Sequence, residues 1–72
     1  GSETELEYNI PDILEALASL PDKYRSVISL HLFEGYDYQE ISEITGTNED
    51  TIRSLYMRGR QKLAATLKKR QS

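Results

Sequence analysis

The sequence contains no cysteine. That excludes a disulfide framework and any thiolate metal site, and it makes a reducing, cytoplasmic setting the expectation. No apolar run approaches the roughly 20 residues of a membrane span, and no signal-peptide pattern is visible, so no membrane partner is expected. Histidine occurs once, as His31, with no cysteine, aspartate or second histidine at ligand spacing on its helix face. It reads as a half-buried core residue rather than a metal ligand or a base. Ser26, Ser29 and Ser54 have no histidine in register to activate them, so no catalytic residue and no enzyme activity are expected. Internal repeats, low-complexity segments and strand-like alternation are missing as well, and nothing suggests a small molecule or a cofactor.

What remains is one small domain. Its 72 residues put the core near the lower limit for independent folding. The opening Gly1-Ser2 reads as the remnant of a cleaved expression tag, so the natural boundaries are expected elsewhere. Residues 1–8 are acidic and aperiodic and read as a tail; the domain is expected over residues 9–70.

Another absence is more informative. Residues 51–72 hold no acid but seven bases, a charge of +7. Residues 1–50 hold all 12 acids against only Lys23 and Arg25, a charge of -10. The overall -3 hides a chain split into an acidic and a basic part, which points to a polyanion partner for the basic part. A helix C-terminus complementing its own dipole would account for Lys68, Lys69 and Arg70, but not for Arg53 near the start.

Hydrophobic spacing predicts four helices and no strand. The first begins around Pro11, with Ile10, Ile13, Leu14 and Leu17 as its apolar face, and stops at Leu20-Pro21. The second runs from Pro21 to about Glu34. Tyr24, Val27, Ile28 and His31 line one side, widened by Leu30, Leu32 and Phe33, as expected of a central helix. Gly35 ends it. Asp37 and Glu40 form a capping-box pair for a short third helix whose buried residues are expected to be Ile41 and Ile44. Gly46 closes that helix, and Asn48 caps the fourth.

At about 100° per residue, Leu55, Tyr56, Gly59, Leu63, Thr66 and Leu67 fall within roughly 60° of Ile52. Arg53, Ser54, Met57, Arg58 and Gln61 fall on the other side. A helix, a short glycine-containing turn and a longer helix make a helix-turn-helix, expected over residues 37–67. Burying one face while offering arginines on the other suits a helix that enters the major groove. No acid within residues 51–72 stands four places from Arg53 or Arg58, so both are expected to be unpaired and available to DNA.

Three blocks carry a resemblance. These are L-P-D-K-Y-R from Leu20, E-G-Y-D-Y-Q-E-I-S-E-I-T-G from Glu34, and T-I-R-S-L-Y-M-R-G-R-Q-K-L from Thr51. Together they resemble region 4 of bacterial RNA polymerase sigma factors of the sigma-70 family, the extracytoplasmic-function (ECF) class above all. The family pattern is L-P-x-x-Y-R, then E-G-x-S-Y-x-E-I-A-x-x-x-G, then T-V-x-S-R-x-x-R-A-R-x-x-L, and it matches without gaps over residues 20–67. The resemblance implies an all-α, four-helix helix-turn-helix domain of the winged-helix-like superfamily. It also implies binding to double-stranded promoter DNA at the -35 element, docking on the β flap of core RNA polymerase, and control by an anti-sigma factor.

Carried over residue by residue, it makes Arg53, Ser54, Met57 and Arg58 the base-facing and backbone-facing positions, with Arg60 alongside. Gln61, Lys62, Asn48 and Thr51 complete the expected contact set. Arginine can grip guanine with two hydrogen bonds, and Met57 can pack on thymine methyls. Lys62, Lys68, Lys69 and Arg70 suit phosphate. The chain departs from the pattern at Leu55, where arginine is usual, at Gly59, where alanine is usual, and at Ser42, also in place of alanine. Gly59 in mid-helix costs about 1 kcal/mol of propensity. Glu49 and Asp50 suit the helix dipole, and near DNA they would either accept from cytosine amino groups or repel phosphate. Tyr36 and Tyr38 stand at aromatic positions of the family, Tyr38 as a packing residue. Two rival readings are a protein-interaction module with little DNA affinity of its own and a LuxR-type output domain. The latter shares the last two helices but lacks the L-P-D-K-Y-R and F-E-G-Y-D-Y blocks.

Overall fold

The computed structural model describes residues 10–71, with side chains through Lys69; the tail expected over residues 1–8 lies outside the described residues. Four helices follow one another, α1 Ile10–Ala18, α2 Asp22–Leu32, α3 Tyr38–Thr45 and α4 Glu49–Gln71. The fold is all-α. Among the described residues, no helix is long and apolar enough to cross a membrane.

Local chemistry places each boundary. At the end of α1 the Ser19 hydroxyl donates to the Ala16 carbonyl at 2.6 Å, and Pro21 then blocks continuation. Pro21 sits at the N-cap of α2, where its missing N–H costs nothing, and its carbonyl accepts from the amides of Tyr24 and Arg25, each at 3.1 Å. Arg25 pairs with Asp22 and donates to the Ala18 carbonyl at 3.2 Å, tying the start of α2 to the end of α1. Gly35, at φ 80°, turns the chain back after α2 so that the Tyr36 amide reaches the Leu30 carbonyl at 3.1 Å.

The capping box of α3 is present in both directions: the Glu40 amide donates to the Asp37 carboxylate at 2.8 Å, and the Asp37 amide donates to Glu40 Oε1 at 2.9 Å. Gly46 ends α3 in the left-handed conformation, at φ 72°. The Ser42 hydroxyl donates to the Thr47 carbonyl across this turn. The departure from alanine at position 42 therefore supplies a bond that pins the turn.

The core is the shared interior of α1, α2 and α4, closed on one side by α3. It consists of Ala16, Leu17, Leu20, Tyr24, Val27, Ile28, Ile41, Ile52, Tyr56, Leu63 and Leu67, with no buried polar residue among the described ones. The seam expected on α4 is the buried one: Ile52, Tyr56, Gly59, Leu63 and Leu67 are buried, and Leu55 and Thr66 are half-buried.

Several expectations about burial need correction. Ile44 is 54% exposed, so Ile41 and Ile44 are not a buried pair. The inward face of α3 runs through Tyr38, Ile41 and Ser42, and Ile44 lies roughly 110° from its centre at 100° per residue. In α1 the inward row is Ile13, Ala16 and Leu17, continued by Leu20. Ile10 and Leu14 face outward, with Leu14 about 100° round the helix from Ile13. Leu32 and Phe33, at 50% and 47% exposure, widen no core face either. The Tyr24–Val27–Ile28–His31 side of α2 meets neighbours and is widened by the half-buried Leu30 alone, and α2 stops at Leu32 rather than Glu34.

Gly59 changes meaning once α2 is in place. A β-carbon there would lie 2.8 Å from Ile28 Cδ1 and 3.2 Å from Tyr24 Cβ. The residue that lowers helix propensity is the one that lets α2 and α4 approach.

Candidate nucleic-acid interface

The turn between α3 and α4 fixes where α4 points. Asn48 Oδ1 accepts from the Thr51 amide at 3.1 Å, and the Asn48 carbonyl accepts from the Ile52 amide at 3.0 Å. Asn48 and Thr51 are thus engaged in starting the helix, the capping role expected for Asn48. Glu49 and Asp50 follow in the first turn, beside the unpaired amides that favour negative charge.

Beyond that turn the outer surface of α4 presents Arg53, Ser54, Met57, Arg58, Arg60 and Gln61, all exposed. Met57 is 56% exposed on this polar face, and a shallow recess lined by Met57, Arg60, Gln61 and Ala64 runs beside it. Among the described residues Arg58 has neither an ion pair nor a hydrogen-bonded partner. Arg60 lies over the Tyr56 ring, 5.9 Å from its centre. Lys62 points along the α2 flank, its Nζ 5.7 Å from the Tyr24 ring that Lys23 also approaches at 5.1 Å. With Lys68 and Lys69 it borders an open groove against Ser19, Leu20 and Pro21. Lys62 therefore belongs with the flank lysines rather than with the central row of Ser54, Met57 and Gln61.

Arg53 is not unpaired. Its Nη2 donates to Glu49 Oε2 at 3.2 Å, and its guanidinium lies 5.2 Å from the centre of the Tyr38 ring. The expectation failed because it considered only acids within residues 51–72, and Glu49 stands four places earlier, just outside that window. Tyr38 is expected chiefly to pack. It does pack, but it also supports Arg53, and nothing in the sequence brings α3 and α4 to that distance.

Under this arginine lies an aromatic joint between α2, α3 and α4. His31 stacks on Tyr38 at 5.1 Å and meets the edge of Tyr56 at 4.6 Å. Its Nδ1 is 2.8 Å from the Tyr36 carbonyl, which can only accept, so Nδ1 carries the proton. This is the satisfied histidine the sequence suggested. Burial raises the Tyr56 hydroxyl above its ordinary pKa of 10.0; Arg60 partly offsets that and Tyr38 adds to it.

The residues that build this helix-turn-helix are similar in sequence to known proteins. The family model for sigma-70, region 4 matches residues 11–63. The chain belongs to the sigma-70 region 4 family. RNA polymerase sigma factor SigV of Bacillus subtilis is 42% identical over 50 residues, which is 69% of this chain and 30% of that protein. ECF RNA polymerase sigma factor SigE of Mycolicibacterium smegmatis is 41% identical over 61 residues, covering 85% of this chain and 24% of that protein. ECF RNA polymerase sigma factor SigM of Bacillus subtilis is 35% identical over 49 residues. This region 4 chain spans less than a third of the length of the first two relatives.

Proposed function

We propose that this region 4 domain lays α4 in the major groove of the -35 promoter element and so helps a sigma factor direct RNA polymerase to initiate transcription. The observation that carries the reading is the two-sidedness of α4. Ile52, Tyr56, Gly59, Leu63 and Leu67 are consumed by the core, which leaves Arg53, Ser54, Met57 and Arg58 together on the free side. Arg58 and Arg53 are the guanine readers, Met57 packs on thymine methyls, and Ser54 donates to a phosphate or base edge. Arg60, Gln61 and the flank lysines Lys62, Lys68 and Lys69 meet phosphate, positioning the helix without specifying sequence. Asn48 and Thr51 hold the start of the helix at the groove. Asp50, in the same turn, keeps the free domain from gripping DNA unselectively.

A second reading has its own support. Ile10 and Leu14 on α1, and Leu32 and Phe33 at the end of α2, remain exposed and belong to other helices than the reading row. Such apolar surface suits protein contact, and docking on the polymerase β flap or on an anti-sigma factor would use it. The two activities are compatible, and these partners place the protein in the cytoplasm.

The test is salt-dependent binding to duplexes selected from a random library, by the full-length sigma factor with core polymerase. Arg58→Ala is expected to weaken the selected duplex by about 1–3 kcal/mol and to relax preference at one base pair. Unchanged affinity together with unchanged base preference would remove Arg58 as a reader.

A further inference from the structure

We propose that Glu49 and Tyr38 are positioning residues for Arg53, and that the Glu49–Arg53 pair seated on the Tyr38 ring sets base preference rather than overall grip. This rests on the reading of α4 as the DNA-contacting helix. A guanidinium carries five N–H donors in a planar fork. Glu49 Oε2 takes a donor from Nη2 at 3.2 Å, leaving the rest of the fork free. The Tyr38 ring, 5.2 Å from Cζ, restrains the guanidinium from the α3 side. Tyr38 is itself held by His31, whose ring stacks on it at 5.1 Å and is anchored through Nδ1 to the Tyr36 carbonyl at 2.8 Å. The Tyr56 ring of α4 closes the cluster, 5.7 Å from Tyr38. The support of Arg53 therefore runs through three helices.

The consequence is a difference between two kinds of arginine. A side chain free on a solvated face can meet a base edge or swing to the nearest phosphate, so beside any base it reads it adds grip on every sequence. One restrained on two sides keeps its direction and meets a guanine edge only when the helix is in register. The Glu49 carboxylate acts in the same sense, because out of register it faces phosphate oxygens of like charge. Glu49 is thus occupied with Arg53 rather than reading cytosine on its own.

The test uses the 72-residue chain, a random-duplex selection and salt titrations of the selected and random DNA. Glu49→Ala is expected to lower the preference for guanine at the Arg53 position about tenfold, the scale of losing one well-formed bidentate contact. Affinity for random DNA should hold or rise, and the log-log salt slope should steepen by about one as Arg53 moves to a phosphate. Tyr38→Leu should lower the same preference, whereas Tyr38→Phe, which keeps the ring, should retain it. In an Arg53→Ala background, Glu49→Ala should change no base preference. Circular dichroism on each variant checks that α4 is intact, as the Asn48 cap predicts. A guanine preference that survives Glu49→Ala overturns the proposal, and so does an equal loss with Arg53 already absent, which would make Glu49 a direct reader. A folded wild-type chain with no base preference at all would overturn the reading of α4 itself, and this inference with it.

Discussion

Gly59→Ala sets two physical effects of known size against each other. On an isolated helix, alanine is favoured over glycine by about 1 kcal/mol, so the substitution would stabilise α4 if nothing touched it. In the structure Gly59 is buried, and the new methyl would sit 2.8 Å from Ile28 Cδ1, 3.3 Å from Ile28 Cγ1 and 3.2 Å from Tyr24 Cβ. Ile28 is 0% exposed, so its Cδ1 can give way only within the core. The Tyr24 β-carbon is fixed by the backbone of α2. Overpacking of this kind costs typically 1–3 kcal/mol, so the net expectation is a loss of about 1 kcal/mol. For a domain this small that lowers the melting temperature by roughly 4–8 °C. Thermal unfolding by circular dichroism reads it directly. The control is Ile28→Val, which removes Cδ1 at a cost of about 0.5–1.5 kcal/mol. In that background Gly59→Ala should be neutral or stabilising, with a coupling above about 0.5 kcal/mol. A melting temperature that rises in the wild-type background, or an identical penalty in both backgrounds, would show that the close approach of α2 and α4 does not govern this position.

Three smaller predictions probe the cap, the aromatic joint and the flank. Asp37→Ala removes the acceptor for the Glu40 amide and leaves the other half of the capping box without its partner geometry. A loss of about 0.5–2 kcal/mol in urea unfolding is expected, and no measurable loss would mean that α3 is held by packing alone. The raised pKa of Tyr56 has a definite sign. Below its ordinary value of 10.0 the group is neutral in both states and adds no pH dependence. Above that value the unfolded chain ionises first, so this part of the stability falls as pH rises through the folded pKa. Urea midpoints at about pH 9 and about pH 11 should therefore converge more closely in Tyr56→Phe than in the wild type. Lys69→Ala should weaken binding to all duplexes alike and flatten the salt slope by about 0.9, leaving base preference unchanged.

The helix starts and stops were legible because they are local. Asp37 with Glu40, Gly46 and Asn48 act within a few residues of themselves, and no distant contact is needed to predict what they do. The buried seam of α4 was legible for a related reason, since a long helix gives its period many chances to show. The shorter helices were less readable. In α3, Ile41 and Ile44 both fit an apolar spacing, but eight residues supply too few repeats to tell which side turns inward. Leu14 fits an apolar spacing in α1 in the same way, while Leu32 and Phe33 suggest core only by their hydrophobicity, which permits burial without requiring it.

The reading row on α4 follows from periodicity and charge: the sequence determined which side carries Arg53, Ser54, Met57 and Arg58. It also determined the family, through three blocks at one spacing. Glu49, four places before Arg53, is a partner that the spacing itself offers, and Arg58 has no acid so placed. Only the tertiary structure decided that a tyrosine of another helix also restrains Arg53. Gly59 looked like a defect until Ile28 and Tyr24 were seen against it. Capping and periodicity are short-range and repeat along the chain. Close approach and side-chain support depend on distances between helices, which no single helix encodes.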